Sequence, residues 1–312
     1  MSTITPAPKP LSSALAAAGG YIIWGLFPLY WKLLQGIDAT ELIAHRVFWA
    51  LLLLLGIVAA QRRLAELWRG LSDRRNLGLN ALSGGLLSIN WLVYVWAVNA
   101  GHVIECSLGY FLVPLINVAI GRFILKERLR PAQAMAIALA ALGVFVMIWV
   151  VGRPPWIALA LAGSFGFYGL LRKRSTFGPL LGLTAETLLL APLAIALLVT
   201  RFATGTGALG HVDTRTTLLV LSTGFVTAVP LLLFAKGARG LRFTTLGLLQ
   251  YFAPTLQFLL GWMVYGEPLS QSRLLAFALI WAGLAAYTAD AVWAQRPRAS
   301  VSGGVEGARP AT

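Results

Sequence analysis

Residues 114–143 and 254–283 read as two copies of one segment, offset by 140 positions and needing no gap. Pro114, Gly121, Glu127, Leu129, Ala136, Ala138, Leu139 and Gly143 match Pro254, Gly261, Glu267, Leu269, Ala276, Ala278, Leu279 and Gly283. Both copies lie in strongly apolar sequence, so the chain carries a duplicated membrane unit. If each unit holds an odd number of spans, the second lies upside down relative to the first. Inverted repeats of that kind are a common plan of secondary transporters.

Composition agrees with a membrane location. The chain has 312 residues, 58% hydrophobic and 12% charged, where a soluble chain carries about twice that charged share. Its apolar runs reach the roughly 18–22 residues that a helix needs to cross a bilayer. Ten spans are expected, near 13–34, 42–60, 77–99, 104–125, 132–151, 155–171, 180–200, 217–236, 244–264 and 273–293. The runs are continuous and do not alternate, which favours helices over a barrel. The expected fold is an all-α polytopic membrane protein, with ten transmembrane helices in two inverted five-helix repeats. The repeats cover 13–151 and 155–293, joined by a tight Gly152-Arg153-Pro154-Pro155 turn. A polar leader, 1–12, precedes them. The tail 294–312, rich in Arg, Pro, Gly and Ser, is expected to be disordered.

The net charge of +14 would point to nucleic acid in a soluble protein. Here its distribution serves topology. With both termini placed in the cytoplasm, nineteen Lys and Arg residues fall in inner segments and five in outer ones, as the positive-inside rule requires. Partners are therefore expected to be the lipid bilayer and a small-molecule substrate, with no nucleic acid and with a homodimer left open. Cys106 is the single cysteine, so no intrachain disulfide can form. An alanine-rich stretch precedes the first apolar run, the wrong order for a cleaved signal peptide. No ATP-binding loop, HExxH zinc signature or GxSxG elbow occurs, so neither an enzyme nor a cofactor is expected. His102 and Glu105 lack a third ligand for a metal.

Candidate solute-binding residues come from polar stripes. Tyr110, Pro114, Asn117 and Gly121 share one helix face, and Gln250, Pro254, Gln257 and Gly261 repeat that spacing in the ninth span. A carboxamide in hydrocarbon needs a partner, so Asn117 and Gln257 are expected to face the bundle interior or a wet cavity. The prolines free carbonyls one turn earlier. Packing seams between helices are the competing reading. Asn90, Tyr94, Ala97 and Gly101 form a similar stripe with Trp91 and Trp96 beside it, and Trp24, Pro28 and Trp31 form another on the first span. Trp31 reads as an interfacial anchor; Trp24 and Trp91 divide evenly between anchor and stacking surface. The substrate-binding candidates are Asn90, Trp91, Tyr94, Tyr110, Asn117, Gln250 and Gln257.

Arg46 and Glu186 are the notable intramembrane charges, also 140 positions apart, and are the coupling candidates. Their depths differ by on the order of 12 Å, which disfavours a direct salt bridge. Arg46 alternatively reaches the outer interface, while Glu186 is the better candidate for proton coupling. Glu127 and Glu267 close the fourth and ninth spans and are expected to interact with the amides of the helix that follows each.

The stretches YIIWGLFPLYWKL, ELIAHRVFW, NWLVYVWAVN, SLGYFLVPLINV, FYGLLRK, TTLGLLQYFAPTLQFLL and YGEPL span the membrane region from Tyr21 to Asp290. Together they resemble the EamA-type drug/metabolite transporters. That resemblance implies a ten-helix bacterial inner-membrane carrier with two inverted repeats and a central cavity built from both halves. It transfers no binding motif, so the site residues rest on the stripes. The expectation is a secondary transporter, exporter or permease, of a small organic solute or drug-like metabolite, working by alternating access. A passive facilitator or channel is the alternative.

Overall fold

In hydrocarbon a backbone amide has no water to bond, so apolar runs close their hydrogen bonds internally as helices. The computed structural model describes residues 10–126, 128–152, 154–241 and 249–294. Among these residues every regular element is a helix. The first run divides into α1 (Pro10–Gly25) and α2 (Phe27–Lys32); Pro28, in the first turn of α2, withdraws an N–H from the ladder there. Asp38 caps α3 (Ala39–Ala60) by accepting the Thr40 N–H at 2.9 Å. A short α4 (Leu64–Ser72) follows, then α5 (Arg74–Asn99), α6 (Val103–Phe123) and α7 (Pro131–Val151). Pro131 occupies the first position of α7, where its missing N–H costs nothing. The helix ends on Gly152 at φ 72°, a left-handed cap that a side chain would strain.

The second half begins with α8 (Trp156–Arg174), α9 (Pro179–Ala203) and α10 (Thr214–Gly240). It closes with α11 (Phe252–Leu259), which runs into a π-turn at Leu260–Val264, and α12 (Gln271–Ala294). Among the described residues, eight helices are long and apolar enough to span a membrane, with α1 and α2 counted as one unit. The two other expected spans differ. α8 has 19 residues but closes on Arg172, Lys173 and Arg174. The ninth span is not one continuous helix, since Gln250 and Tyr251 form a turn before α11. Pro254 explains the break, because its ring clashes with the carbonyl four residues earlier, that of Gln250. α6 accommodates Pro114 within a continuous helix.

Packing across the two halves is reciprocal. α5 packs on α8 and α1 on α10; α6 on α8 and α1 on α11; α3 on α10 and α5 on α9. α3 meets α9, α6 meets α11 and α7 meets α12. Exchanging the halves interchanges the first six pairings two by two and returns each of the last three to itself. The finest case is the α7–α12 contact. A Cβ on Gly143 would stand 2.9 Å from the Ala276 carbonyl oxygen, and one on Gly283 would stand 2.8 Å from that of Ala136. Position 143 thus meets 276 while 283 meets 136, so the two helices run antiparallel.

Carboxylates stitch distant segments together. Glu267 accepts the Val103 and Ile104 N–H groups at 2.6 and 2.8 Å. It therefore caps α6, not the helix that follows it as its sequence position suggests. Glu41 accepts the Ala208 N–H at 2.6 Å and Glu105 the Ile157 N–H at 3.1 Å, each reaching from the first half to the second. Glu127 lies outside the described residues, as do the tail beyond Ala294 and most of the leader.

Candidate functional site

Arg46 sits on α3 and is 4% exposed, so it does not reach an outer interface. Its Nε donates to Thr227 Oγ1 on α10 at 2.9 Å. The guanidinium carbon lies 3.9 Å from the ring centre of Trp91 on α5, 5.5 Å from Trp31 and 5.8 Å from Phe27. Three aromatic faces partly compensate the desolvated cation. Trp31 itself is fully buried and faces Arg46 from α2, so Trp31 is a wall of this cluster and not an interfacial anchor. Tyr94 and Tyr110 extend it with ring centres 5.6 Å apart.

Asn90 joins the cluster through Tyr110, whose hydroxyl donates to Asn90 Oδ1 at 3.3 Å. Its amide is directed away, donating to Leu161 O and Ser164 Oγ on α8, both at 3.0 Å. Asn90 therefore fixes α5 against α8 as well as touching the tyrosine. On the opposite wall Tyr30 donates to Leu219 O at 2.6 Å, tying α2 to α10.

Glu186 on α9 is fully buried. Ser83 Oγ donates to it at 2.7 Å and Tyr168 Oη at 3.4 Å, while Arg172 Nη1 stands 3.6 Å away. Its cationic partner is thus Arg172, and Arg46 forms no ion pair among the described residues. Arg172 was absent from the sequence candidates. The available signal was that a buried carboxylate requires a cation, and Arg172 is the innermost of the three basic residues ending α8. Thr227 and Phe27 were also missed, since nothing in their own spacing marks them as neighbours of Arg46.

The matched carboxamides occupy unlike surroundings. Gln257 is 2% exposed; its Nε2 donates to Trp24 O at 3.2 Å and its Oε1 is buried without a partner. Asn117 is exposed and lies beside Gly166 of α8. Gln250 is in the turn before α11. The structure brings Arg46, Asn90, Trp91, Tyr94 and Tyr110 together. Among the described residues no hydrogen bond or ring contact joins Asn117, Gln250 or Gln257 to that cluster.

Two surface clefts lie elsewhere. One, of about 260 Å³, is lined by His102, Glu105, Glu267 and Arg273 among others. The other, of about 420 Å³, includes Glu41, His45, Trp49 and Phe202. No group of three His, Cys, Asp or Glu residues that could hold a metal occurs among the described residues.

Comparison with known proteins places this helical assembly in a family. The EamA-like transporter family matches residues 11–149. An uncharacterized transporter of Pseudomonas aeruginosa is 48% identical over 87% of this chain and 91% of its own length. Protein RarD of Escherichia coli is 40% identical over 90% of this chain and 95% of its own. An uncharacterized transporter of Bacillus subtilis, YojE, is 42% identical over 87% and 91%. A solved crystal structure at 20% identity superposes with a TM-score of 0.59, covering 91% of this chain and 99% of that one; at that identity the likeness concerns the fold alone. With its apolar helices, this multi-pass membrane protein belongs to the EamA-like transporter family and closely resembles the RarD proteins.

Proposed function

We propose that the protein is a secondary transporter of a small organic solute in a bacterial inner membrane, working by alternating access between two inverted five-helix units, 13–151 and 155–293. The observation that carries this reading is the reciprocity of the cross-half contacts, most sharply Gly143 on Ala276 and Gly283 on Ala136. Antiparallel counterparts related in this way are what two units of odd span number produce, and rocking one unit against the other exposes a shared site to each side in turn. The Arg46 cluster supports the reading, since it is assembled from α2, α3, α5 and α10 and so draws on both units. Counterflow in proteoliposomes tests it. A carrier preloaded with its solute accelerates entry of the labelled solute, whereas a pore gives equal rates with and without preloading.

Orientation follows from the basic segments. We expect both termini in the cytoplasm across ten crossings, with α8 and the α11 region as the two less apolar ones. Reporter fusions after Arg75 and Arg174 should read as cytoplasmic, and fusions at Gly101 and Gly210 as external. Opposite readings at two of these four points exclude the ten-span arrangement.

A further inference from the structure

Hydrogen-bond donors without acceptors gather around Arg46. Its Nε–H is used by Thr227, and no described residue accepts from its Nη groups. Trp31 Nε1 and Tyr94 Oη are both buried and both lack a partner. The Trp31 ring centre stands 5.5 Å from the guanidinium, and Tyr94 lies one turn along α5 from Trp91, whose ring centre is 3.9 Å from the same group. Guanidinium and indole N–H groups can only donate. A buried donor left unmade is costly, and an uncompensated cation more so. Protein anions do not supply the remedy: Arg46 has no carboxylate at ion-pair distance among the described residues, and Glu186, its counterpart in the repeat, is held by Arg172. A packed structural arginine spends its donors on carbonyls or carboxylates; among the described residues nothing accepts from the fork of this one, which lies between aromatic walls.

We propose that Arg46, Trp31 and Tyr94 form the anion-recognising end of the solute site, so that the transported solutes are small organic acids held through a carboxylate. The inference rests on the transport reading above and supplies its substrate class. A planar fork of N–H groups matches a carboxylate in two parallel bonds, and single donors from an indole and a phenol suit its remaining lone pairs. A neutral amide would satisfy the donors but leave the cation unbalanced. A phosphate monoester would bring more negative charge than one guanidinium balances. Trp91 and Phe27 exclude water from the guanidinium faces, which strengthens the charge interaction.

The test uses the full-length protein in liposomes loaded with an unfractionated small-molecule extract of bacterial cytosol. Solutes that leave protein-containing vesicles faster than empty ones are identified and sorted by charge. The expected result is that they carry a carboxylate, that Arg46→Gln abolishes their exit, and that Tyr94→Phe raises the half-saturating concentration of the fastest of them about tenfold. Tyr94→Phe removes a single oxygen, so it remains informative if Arg46→Gln fails to fold. Exit of only neutral or cationic solutes overturns the inference and leaves the transport reading standing. So does exit of acids at an unchanged rate in both variants. If no solute leaves by way of the protein, the transport reading itself fails, and the inference with it.

Discussion

Removing the Glu186 carboxylate should cost the detergent-solubilised protein about 3–5 kcal/mol of stability, since breaking a buried pair leaves a charge uncompensated. Glu186→Ala strips Arg172 of its anion, and Arg172→Ala strips the fully buried Glu186 of its cation at 3.6 Å. The second loss should be the heavier. Arg172 keeps acceptors at Phe177 O and Gly178 O, at 3.3 and 3.2 Å, whereas Glu186 would retain only Ser83 and Tyr168. The double variant should lose less than the sum of the two single ones, because neither charge is then orphaned. Thermal or denaturant unfolding of the four proteins reads this directly. Strict additivity would mean that the ion pair contributes nothing and that Ser83 and Tyr168 hold the carboxylate alone.

We propose that the same pair also carries a coupling step. A proton on Glu186 would cancel its charge and release Arg172, loosening α8 from α9 on the side where Arg172 also contacts Asn80 of α5 at 3.4 Å. Glu186→Gln imitates the protonated state and preserves the acceptor facing Ser83. It should fold, sustain counterflow and lose accumulation driven by a pH gradient. Accumulation at the wild-type level would reduce Glu186 to a packing role.

Legibility followed the physics of each feature. Gly143 and Gly283, matched in the sequence, both lie where α7 meets α12, because a close helix crossing tolerates only small residues. The start of α7 at Pro131 was readable because a proline lacks only an N–H that a first turn does not use. Lateral neighbours were not readable. Depth along α3 says little about Arg46, because its surroundings depend on which helices lie beside α3, and α2 sets Trp31 and Phe27 against it. Glu267 was assigned to the nearest helix in sequence, yet the amides it caps lie more than 160 positions away. Asn117 and Gln257 share a register but not an environment: Gln257 meets a carbonyl of α1, while Asn117 stays exposed beside α8. The helix α4 was missed although Leu64, Leu67, Trp68 and Leu71 have amphipathic spacing. Its Leu67 is buried with Val58, Phe177 and Leu181, and at nine residues the helix falls well below membrane-spanning length.

Leucine at Gly143 and leucine at Gly283 should each destabilise the protein, and by nearly equal amounts. In both cases the new Cβ meets a backbone oxygen of the facing helix, at 2.9 and 2.8 Å, and backbone cannot rotate out of the way as a flexible side chain can. Overpacking of this kind costs roughly 1–3 kcal/mol, and the upper end applies where the obstacle is main chain. The only relief is for α7 and α12 to separate. The two contacts lie on one antiparallel crossing, so the separation that admits the first leucine also makes room for the second. Gly143→Leu with Gly283→Leu should therefore cost clearly less than the sum of the singles. Substitution at Gly163, whose Cβ direction meets nothing within 4 Å, should leave the unfolding midpoint nearly unchanged and serves as the control. Unequal single effects would show that the two positions are not mechanical equivalents. Full additivity would show that each clash is relieved locally and that the two contacts do not share one crossing.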